Sequence, residues 1–592
     1  MGKIFIKGQN GHILYEPGQT LMEILLQEGV FINNSCNGKG TCGKCKVRVL
    51  EGYENVYSPS EQRLLRKEEQ EENIRLACLL VPEGDIRIEL LEEEKKHEIL
   101  TEGTIPQFDF SPEITEKTVC IQKPGLADQT PFEEQIKQQL DLPEMSLPTL
   151  RKIGKGEGLY RAVTHRKQLL NLQEMPTSEK LYGVAVDIGT TTVAACLVDL
   201  ATGIELAQAA VINEQKQYGL DVLTRITYEI ENPQEGRNRL RQAITDSLDK
   251  QIRQMCAEAG IDSDSVYEIT TSANSTMLHM FLGVDAVSLG TSPFAPIFTA
   301  GRYFSAADTG LKTAENAVVY LLPAVSSYIG ADIVAGAYVC GLQRTNRRVL
   351  FIDIGTNGEI VLASGGRLLS CSCAAGPALE GMNIRSGMRA AEGAVEDVRL
   401  TPEGAELNVI GGGKAKGFCG SGILAVIREL LKNGLIEKNG TILKPEKLDD
   451  SDWRKKFLQL NGKKREVVLA PELIVTQSDI RQVQLAKGAI LSGFYALLKQ
   501  AGITMEDLDE VIVAGQFGMH LPVESLTGTG ILPKEVGNRL TYVGNSSKTG
   551  AYMALMSGSV KREMEKLAKK MEYMELSASQ GYERLFSQCL QF

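Results

Sequence analysis

Hydrophobic and polar residues alternate at the start of the chain. Residues 3–6 and 12–15 have the period of two β-strands and predict a β-hairpin, and residues 21–27 predict a helix. The charged run at residues 92–96 has no apolar period that could bury a face, so it indicates a solvated linker. We therefore expect a small α+β domain over residues 1–95.

Prolines interrupt the pattern in the region that follows. Residues 96–180 carry short patterned stretches between many prolines, which is typical of a linker and a small middle domain of modest secondary structure. This part of the sequence indicates no chemical role.

A pattern of strand, turn and strand occurs twice in the C-terminal two thirds of the chain. One apolar run ends at Asp187 and another at Asp353, and each is followed by a turn and a second apolar run. A carboxylate at a strand end can bind Mg²⁺-bound water, and the N–H and hydroxyl groups of the turn can bind phosphate. The turn residues are Gly189, Thr190, Thr191, Gly355, Thr356, Asn357 and Gly358.

A third apolar run follows at a similar interval along the chain. It is succeeded by Gly515, Gln516 and Gly518. This repetition predicts two homologous halves, at about residues 181–345 and 346–592, that close on one nucleotide.

Two other segments share only part of the pattern of a phosphate-binding loop. Residues 544–549 lack the glycine that precedes lysine in G-x-x-x-x-G-K-[ST], which argues against a P-loop ATPase. Gly420 and Ser421 open the apolar stretch at residues 423–431. Their N–H groups could face an anion, or they could form a plain turn, and both interpretations stay open.

Composition and charge narrow the class of protein. The 592-residue chain is 43% hydrophobic, which indicates several globular domains, and its apolar runs are too short to span a bilayer. A net charge of −11 without a basic tract argues against binding to nucleic acid. The N-terminus lacks the apolar stretch of a signal peptide. We therefore expect a cytoplasmic protein whose partners include neither a membrane nor a nucleic acid.

Four of the twelve cysteines have the order and spacing of metal ligands. Cys36, Cys42 and Cys45 form a C-x5-C-x2-C run among glycines that let the backbone wrap an inorganic centre, and Cys78 follows later. In a reducing compartment such a group indicates a metal site before it indicates disulfides. A 2Fe-2S cluster is the favoured interpretation, and a structural zinc site or four unrelated cysteines are the alternatives.

Two parts of the chain resemble known families. The cysteine spacing and residues 75–78 are similar to adrenodoxin-like 2Fe-2S ferredoxins, which implies a β-grasp domain. The repeated turns resemble those of the superfamily of actin, hexokinase, acetate kinase and the heat-shock chaperones. This resemblance implies a duplicated ribonuclease H-like, actin-like α/β ATPase. In it, Asp187 and Asp353 would position Mg²⁺ and water, the two turns would hold the phosphates of ATP, and residues 515–518 would flank the nucleoside.

The whole chain resembles the reductive activators of corrinoid proteins. This resemblance implies that a 2Fe-2S cluster, assisted by ATP, reduces Co(II) to Co(I) in a partner corrinoid protein that supports methyl transfer. It also implies a low-potential electron donor and a homodimer formed through the C-terminal module. The motifs that match the family lie at residues 187–191, 353–359, 375–381 and 515–518. The sequence departs from the family pattern at Gln516 and at residues 272–275.

Two other functions stay open from the sequence. One is an ATP-dependent reductase that activates a different low-potential metalloenzyme, and its partner would distinguish it. The other is a small-molecule kinase with a redox-sensing domain, which a phosphorylated product would reveal.

Overall fold

The first sheet of the molecule lies in the N-terminal 90 residues. The computed structural model describes residues 2–592 except 9–10, 29, 31, 33–37, 39, 41–42, 44, 53–55, 92–104, 154–156, 178, 356 and 516–520. The N-terminal elements are β1 (Gly2–Ile6), β2 (Ile13–Tyr15), α1 (Leu21–Gln27), β3 (Lys46–Glu51), α2 (Pro59–Leu64), α3 (Lys67–Glu71), β4 (Ile74–Leu76) and β5 (Ile86–Leu90).

This N-terminal sheet has the strand order β2-β1-β5-β3-β4. β1 and β2 pair antiparallel, so the predicted hairpin is confirmed, while β1 and β5 pair parallel. α1 begins at a capping box in which Thr20 and Glu23 bond each other's backbone N–H, and it buries Leu21 and Leu25 against the sheet. The predicted helix is therefore confirmed as well.

A small antiparallel sheet follows the linker. It has the order β6-β7-β8 and a separate core that includes Val119, Ile136 and Leu172. Its elements are β6 (Ile114–Ile121), α4 (Phe132–Leu140), α5 (Leu147–Leu150), β7 (Gly158–His165) and β8 (Gln168–Glu174).

Two six-stranded sheets form the C-terminal two thirds. The first has the order β11-β10-β9-β12-β14-β13. Its elements are β9 (Tyr182–Ile188), β10 (Thr192–Asp199), β11 (Glu205–Ile212), α6 (Val222–Glu231), α7 (Pro233–Ala259), β12 (Val266–Ala273), α8 (Ser275–Leu282), α9 (Val287–Gly290), β13 (Arg302–Ser305), α10 (Ala306–Thr309), β14 (Val318–Leu321) and α11 (Ala331–Val339).

The second large sheet has the order β25-β24-β15-β16-β17-β26, with two three-stranded sheets inserted. The strands are β15 (Val349–Ile354), β16 (Gly358–Ser364), β17 (Arg367–Cys373), β18 (Ala394–Leu400), β19 (Ala405–Val409), β20 (Gly417–Phe418), β21 (Leu458–Asn461), β22 (Lys464–Ala470), β23 (Leu473–Thr476), β24 (Glu510–Ala514), β25 (Leu540–Tyr542) and β26 (Met571–Tyr573). The helices are α12 (Gly420–Lys432), α13 (Gln477–Ala501), α14 (Val523–Gly528), α15 (Ser546–Leu555), α16 (Gly558–Lys570) and α17 (Tyr582–Cys589).

The two large sheets repeat one topology. In the first, β9, β10 and β11 are antiparallel neighbours, and β12 lies parallel beside β9. In the second, β15, β16 and β17 are antiparallel neighbours, and β24 lies parallel beside β15. The predicted duplication is thus visible in the strand order and direction.

The C-terminal helices α15 and α16 pack against the first of the two sheets. Leu555, Val560 and Met564 belong to the same apolar core as Val184 of β9. A helix pair from the end of the chain therefore packs with the first sheet. The predicted boundary between residues 345 and 346 stays a prediction. Within the described ranges, no helix combines the length and apolar character needed to cross a bilayer.

Candidate functional site

Two of the four predicted cluster ligands lie side by side in the N-terminal sheet. Cys45 directly precedes β3 and Cys78 follows β4, and these two strands pair antiparallel. Their Sγ atoms are 3.3 Å apart and both residues are buried. A disulfide has a length of about 2.05 Å, whereas two thiolates on one tetrahedral metal with bonds of ~2.3 Å lie roughly 3.8 Å apart. The separation therefore fits two ligands of one metal ion better than it fits a disulfide.

Gly40, in the segment before Cys45, has a backbone conformation that favours glycine. Gly40 has φ +65°, and a Cβ atom there would lie 2.8 Å from the Leu79 side chain. Only glycine fits this position without displacing Leu79, the residue next to Cys78. The other predicted ligands, Cys36 and Cys42, lie outside the described residues.

A buried ion pair positions the strand that leads to Cys78. Arg75 donates from Nε and Nη2 to the two carboxylate oxygens of Glu61, at 2.9 and 3.0 Å. Glu61 is fully buried and also accepts the backbone N–H of Leu76 at 3.1 Å. Burial opposes ionisation of Glu61, but the bonds from Arg75 and the backbone outweigh it and lower its pKa. Sequence reasoning missed Glu61, although Arg75 was part of the segment it singled out.

Asp187 lies at the end of β9, where two side chains from the start of α15 hold its carboxylate. Asn545 donates from Nδ2 to Oδ2 at 3.0 Å, and Ser547 donates from Oγ to Oδ1 at 2.7 Å. Burial nevertheless raises the pKa of Asp187 above its usual value. The segment at residues 544–549 does not match a P-loop, but its side chains hold the carboxylate of Asp187 in place.

Four half-buried carboxylates face one another between the two sheets: Asp187, Asp332 at the start of α11, Asp353 at the end of β15 and Glu359 of β16. Burial and repulsion from Asp353 and Asp187 raise the pKa of Asp332 to about 8. Burial and repulsion from Asp187 raise the pKa of Asp353 to about 7. Burial, with repulsion from Asp332 and Asp353, also raises the pKa of Glu359. Such a group attracts a divalent cation, because a cation relieves the repulsion.

The carboxylates are too far apart to ligate an ion as a set. Within the described part of the chain, no three His, Cys, Asp or Glu side chains lie close enough to hold one metal ion directly. Mg²⁺ characteristically keeps several of its waters and is held through one or two carboxylates together with nucleotide phosphates. The arrangement therefore fits a hydrated Mg²⁺ that arrives with a nucleotide.

Gly515, the first residue of the third predicted motif, lies beside Asp353. Gly515 follows β24 with φ +92°, and a Cβ atom there would lie 2.6 Å from Asp353 Oδ1. The backbone of Gly515 therefore packs directly against the Asp353 carboxylate. In the second turn, the Gly355 N–H donates to the Asn357 carbonyl at 2.9 Å, and Gly358 begins β16. Thr356, Gln516 and Gly518 lie outside the described residues.

Gly420 and Ser421 form the first turn of α12, as the sequence suggested. Ser421 Oγ lies 3.2 Å from Cys419 Sγ, and a Cβ atom at Gly422 would lie 1.9 Å from the Val395 carbonyl. These contacts pack the start of α12 closely against β18. A role for Gly420 and Ser421 in nucleotide binding stays a prediction.

These features define an iron–sulfur protein joined to a nucleotide-binding domain of the actin-like class. In sequence, the chain matches the family models for a 2Fe-2S iron-sulfur cluster binding domain over residues 4–83, the RACo middle region over residues 182–345, and the C-terminal ASKHA domain of RACo over residues 347–592. The middle-region model covers the first of the two large sheets.

Relatives with known roles match most of the chain. Corrinoid activation enzyme RamQ of Eubacterium limosum is 33% identical over 547 residues, which cover 89% of this chain and 88% of the relative. The Co(II) methylated amine-specific corrinoid protein reductase of Methanosarcina barkeri is 26% identical over 445 residues, which cover 69% of this chain and 76% of the relative. A solved structure of a reductive activator for corrinoid, iron–sulfur protein is 30% identical and has a TM-score of 0.71. The match covers 100% of this chain and 98% of that one.

The chain therefore belongs to the family of reductive activators of corrinoid proteins. It contains an iron–sulfur domain and an ATP-binding domain of the ASKHA class. The predicted fold class and family are confirmed.

Proposed function

We propose that this protein reduces the Co(II) form of a corrinoid protein to Co(I) in an ATP-dependent reaction. The observation that carries the proposal is the presence, in one chain, of the Cys45 and Cys78 thiol pair and the carboxylates around Asp353. The similarity to named corrinoid activators supports the choice of acceptor.

The cluster site is proposed to consist of Cys36, Cys42, Cys45 and Cys78, and the cluster type to be 2Fe-2S. The C-x5-C-x2-C spacing and the match to a 2Fe-2S domain support this assignment. A cluster held by these cysteines would supply one-electron transfer, from an external low-potential donor to the Co(II) of the partner. Glu61 fixes the strand that leads to Cys78, and the Leu79 side chain covers the loop at Gly40.

The nucleotide site is proposed to lie between the two large sheets, with Mg²⁺ held through Asp187 and Asp353. The mutual repulsion of the carboxylates supports this proposal, since a hydrated cation would neutralise it. The turns at Gly189 and Gly355 would present N–H groups to the phosphates. Thr191 Oγ1 lies 3.4 Å from Glu380 Oε2, so the two halves already meet beside the first turn.

ATP is needed because a cluster of this class is a limited reductant. Plant-type ferredoxins have potentials near about −400 mV, and each ~59 mV of deficit makes a one-electron transfer tenfold less favourable. ATP supplies no electrons, so its binding or hydrolysis acts by changing domain contacts or the acceptor. We also propose a cytoplasmic homodimer formed through the C-terminal module, and light scattering of the purified protein tests the dimer.

The test is an anaerobic assay in which the reduced protein is mixed with a Co(II) corrinoid protein, and the Co(I) absorption spectrum is followed with and without MgATP. We expect Co(I) only with MgATP. Cys78→Ala should abolish the reaction and the cluster spectrum, and Asp353→Asn should abolish the reaction with the cluster intact. Cys256→Ala, which removes a buried thiol of α7, is the matched control. Absence of ATP-dependent Co(I) with every corrinoid partner tried would refute the proposal.

A further inference from the structure

Two buried residues, Asn213 and Arg225, bond the carbonyl groups of the turn at residues 189–191. Asn213 donates from Nδ2 to the Gly189 carbonyl at 2.8 Å, and its backbone N–H donates to the Thr191 carbonyl at 2.9 Å. Arg225 donates from Nη2 to the Thr190 carbonyl at 2.6 Å. All three carbonyls of the turn are therefore drawn toward the interior of the first half.

The other face of the turn presents N–H groups. A trans peptide is planar, so the N–H of each residue points opposite to the preceding carbonyl. The N–H groups of Thr190 and Thr191 consequently point away from Asn213 and Arg225. Neither N–H donates a hydrogen bond to another residue in the described ranges. The Thr191 hydroxyl lies 3.4 Å from Glu380 Oε2 of the second half, so this turn lies beside the boundary between the halves.

Arg225 is a cation that lacks an anionic partner at contact distance. It is fully buried on α6, and no described carboxylate forms a salt bridge with it. Its other acceptors are also neutral: the Gly219 carbonyl at 2.8 Å, Gln215 Oε1 at 3.1 Å and Met277 Sδ at 3.2 Å. Burial lowers the pKa of Arg225 to about 9, although the charge of Asp221 at the start of the same helix opposes this shift.

A neutral side chain could hold a carbonyl equally well, as Asn213 does at Gly189. A buried guanidinium costs considerably more to desolvate than an amide does. Within the described residues, the charge of Asp221 stabilises Arg225 without forming a salt bridge, so an anion bound nearby would stabilise it further. The N–H groups of Thr190 and Thr191, on the far side of the turn that Arg225 holds, would bind such an anion.

We propose that Arg225 and Asn213 are positioning residues for nucleotide phosphate, holding the turn at residues 189–191 with its N–H groups outward, and that the Arg225 charge favours the anion bound there. This inference rests on the proposed nucleotide site. Sequence motifs do not include either residue, because both lie outside the turn itself.

The test compares ligands that differ only in phosphate. Calorimetry would give the affinities of wild type, Arg225→Gln and Arg225→Lys for MgATP, MgADP and adenosine. We expect Arg225→Gln to weaken MgATP and MgADP binding by about tenfold or more, the loss typical of one charge-assisted interaction, with adenosine binding unchanged. Arg225→Lys should retain more of the affinity, because it keeps the charge. Arg237→Gln is the matched control, since Arg237 pairs with Glu229 and Asp285.

The outcomes separate this inference from the proposed function. If wild type binds MgATP and Arg225→Gln binds it equally well, the positioning role is wrong while the nucleotide site stands. If Arg225→Gln weakens adenosine as much as MgATP, or Arg225→Lys is no better than Arg225→Gln, the role is structural and the inference fails. Wild-type protein that binds no MgATP would refute both.

Discussion

A buried lysine joins three parts of the chain and gives a quantitative prediction. Lys561 of α16 is 1% exposed, and its Nζ lies 2.9 Å from Glu113 Oε2 and in short contact with Glu268 Oε1. The same Nζ lies 5.1 and 4.9 Å from the ring centroids of Tyr303 and Tyr320. Lys561→Met keeps most of the side-chain volume and removes only the cation.

The cost of this substitution follows from what remains around Glu268. Glu268 is fully buried, its Oε1 keeps only the bond from Thr270 Oγ1 at 3.1 Å, and its Oε2 has no partner among the described residues. Glu113 is less affected, because Arg166 still donates to it at 2.9 Å. Removing one member of a buried pair costs about 3–5 kcal/mol, and we expect Lys561→Met to lower stability by this amount.

The assay must follow this region and not the whole chain, because a multidomain protein has no single unfolding free energy. Hydrogen exchange in peptides from β6 and β12, measured across a urea series, reports the opening of the two segments that Lys561 joins. The double variant Glu268→Gln with Lys561→Met removes both charges and should recover most of the loss. Arg344→Met is the control, since it breaks an exposed pair with Glu563 that is worth less than about 1 kcal/mol. A loss for Lys561→Met no larger than that of Arg344→Met, or no recovery in the double variant, would show that the reasoning is wrong.

Three further predictions concern the two candidate sites. Gly515→Ala should abolish ATP hydrolysis while the iron content stays normal. The new Cβ displaces Asp353, and the positive φ of residue 515 costs about 1–2 kcal/mol with alanine. Normal hydrolysis by a folded variant would contradict this prediction. MgATP affinity, measured by calorimetry, should rise from about pH 6 to about pH 9 as the raised pKa values of Asp332 and Asp353 are passed, because the cation favours the ionised carboxylates; a flat profile would contradict it. Glu61→Gln should reduce bound iron, measured by absorbance, with MgATP binding unchanged, and full cluster occupancy would contradict that prediction.

The sequence predicted those parts of the site whose signal is local. Asp187 and Asp353 end strands and precede glycine turns, so neighbouring residues reveal them. The hairpin at the N-terminus and the duplicated sheets were recoverable for the same reason, since period and order along the chain determine them. Cys45 and Cys78 needed only ligand spacing and adjacent glycines.

The residues that hold these groups in place could not be predicted, because their contacts are distant in sequence. Asn545 bonds Asp187 from 358 residues away, and Ser547 does so from 360. Arg225 reaches the Thr190 carbonyl across 35 residues, and no pattern distinguishes it from the solvent-facing arginines of α7. The packing of α15 with the first sheet has the same origin, because only tertiary contacts bring residues 546–555 to β9.

Helix α15 connects Asp187 with the segment that precedes β6. At its start, Asn545 and Ser547 bond the Asp187 carboxylate. Beyond its end, the Met556 carbonyl accepts the Ser111 N–H at 3.0 Å, and the Gly558 N–H donates to the Ser111 carbonyl at 3.0 Å. A helix of this length spans only about 15 Å and moves as one rigid element. One continuous element therefore joins the Asp187 carboxylate to residue 111.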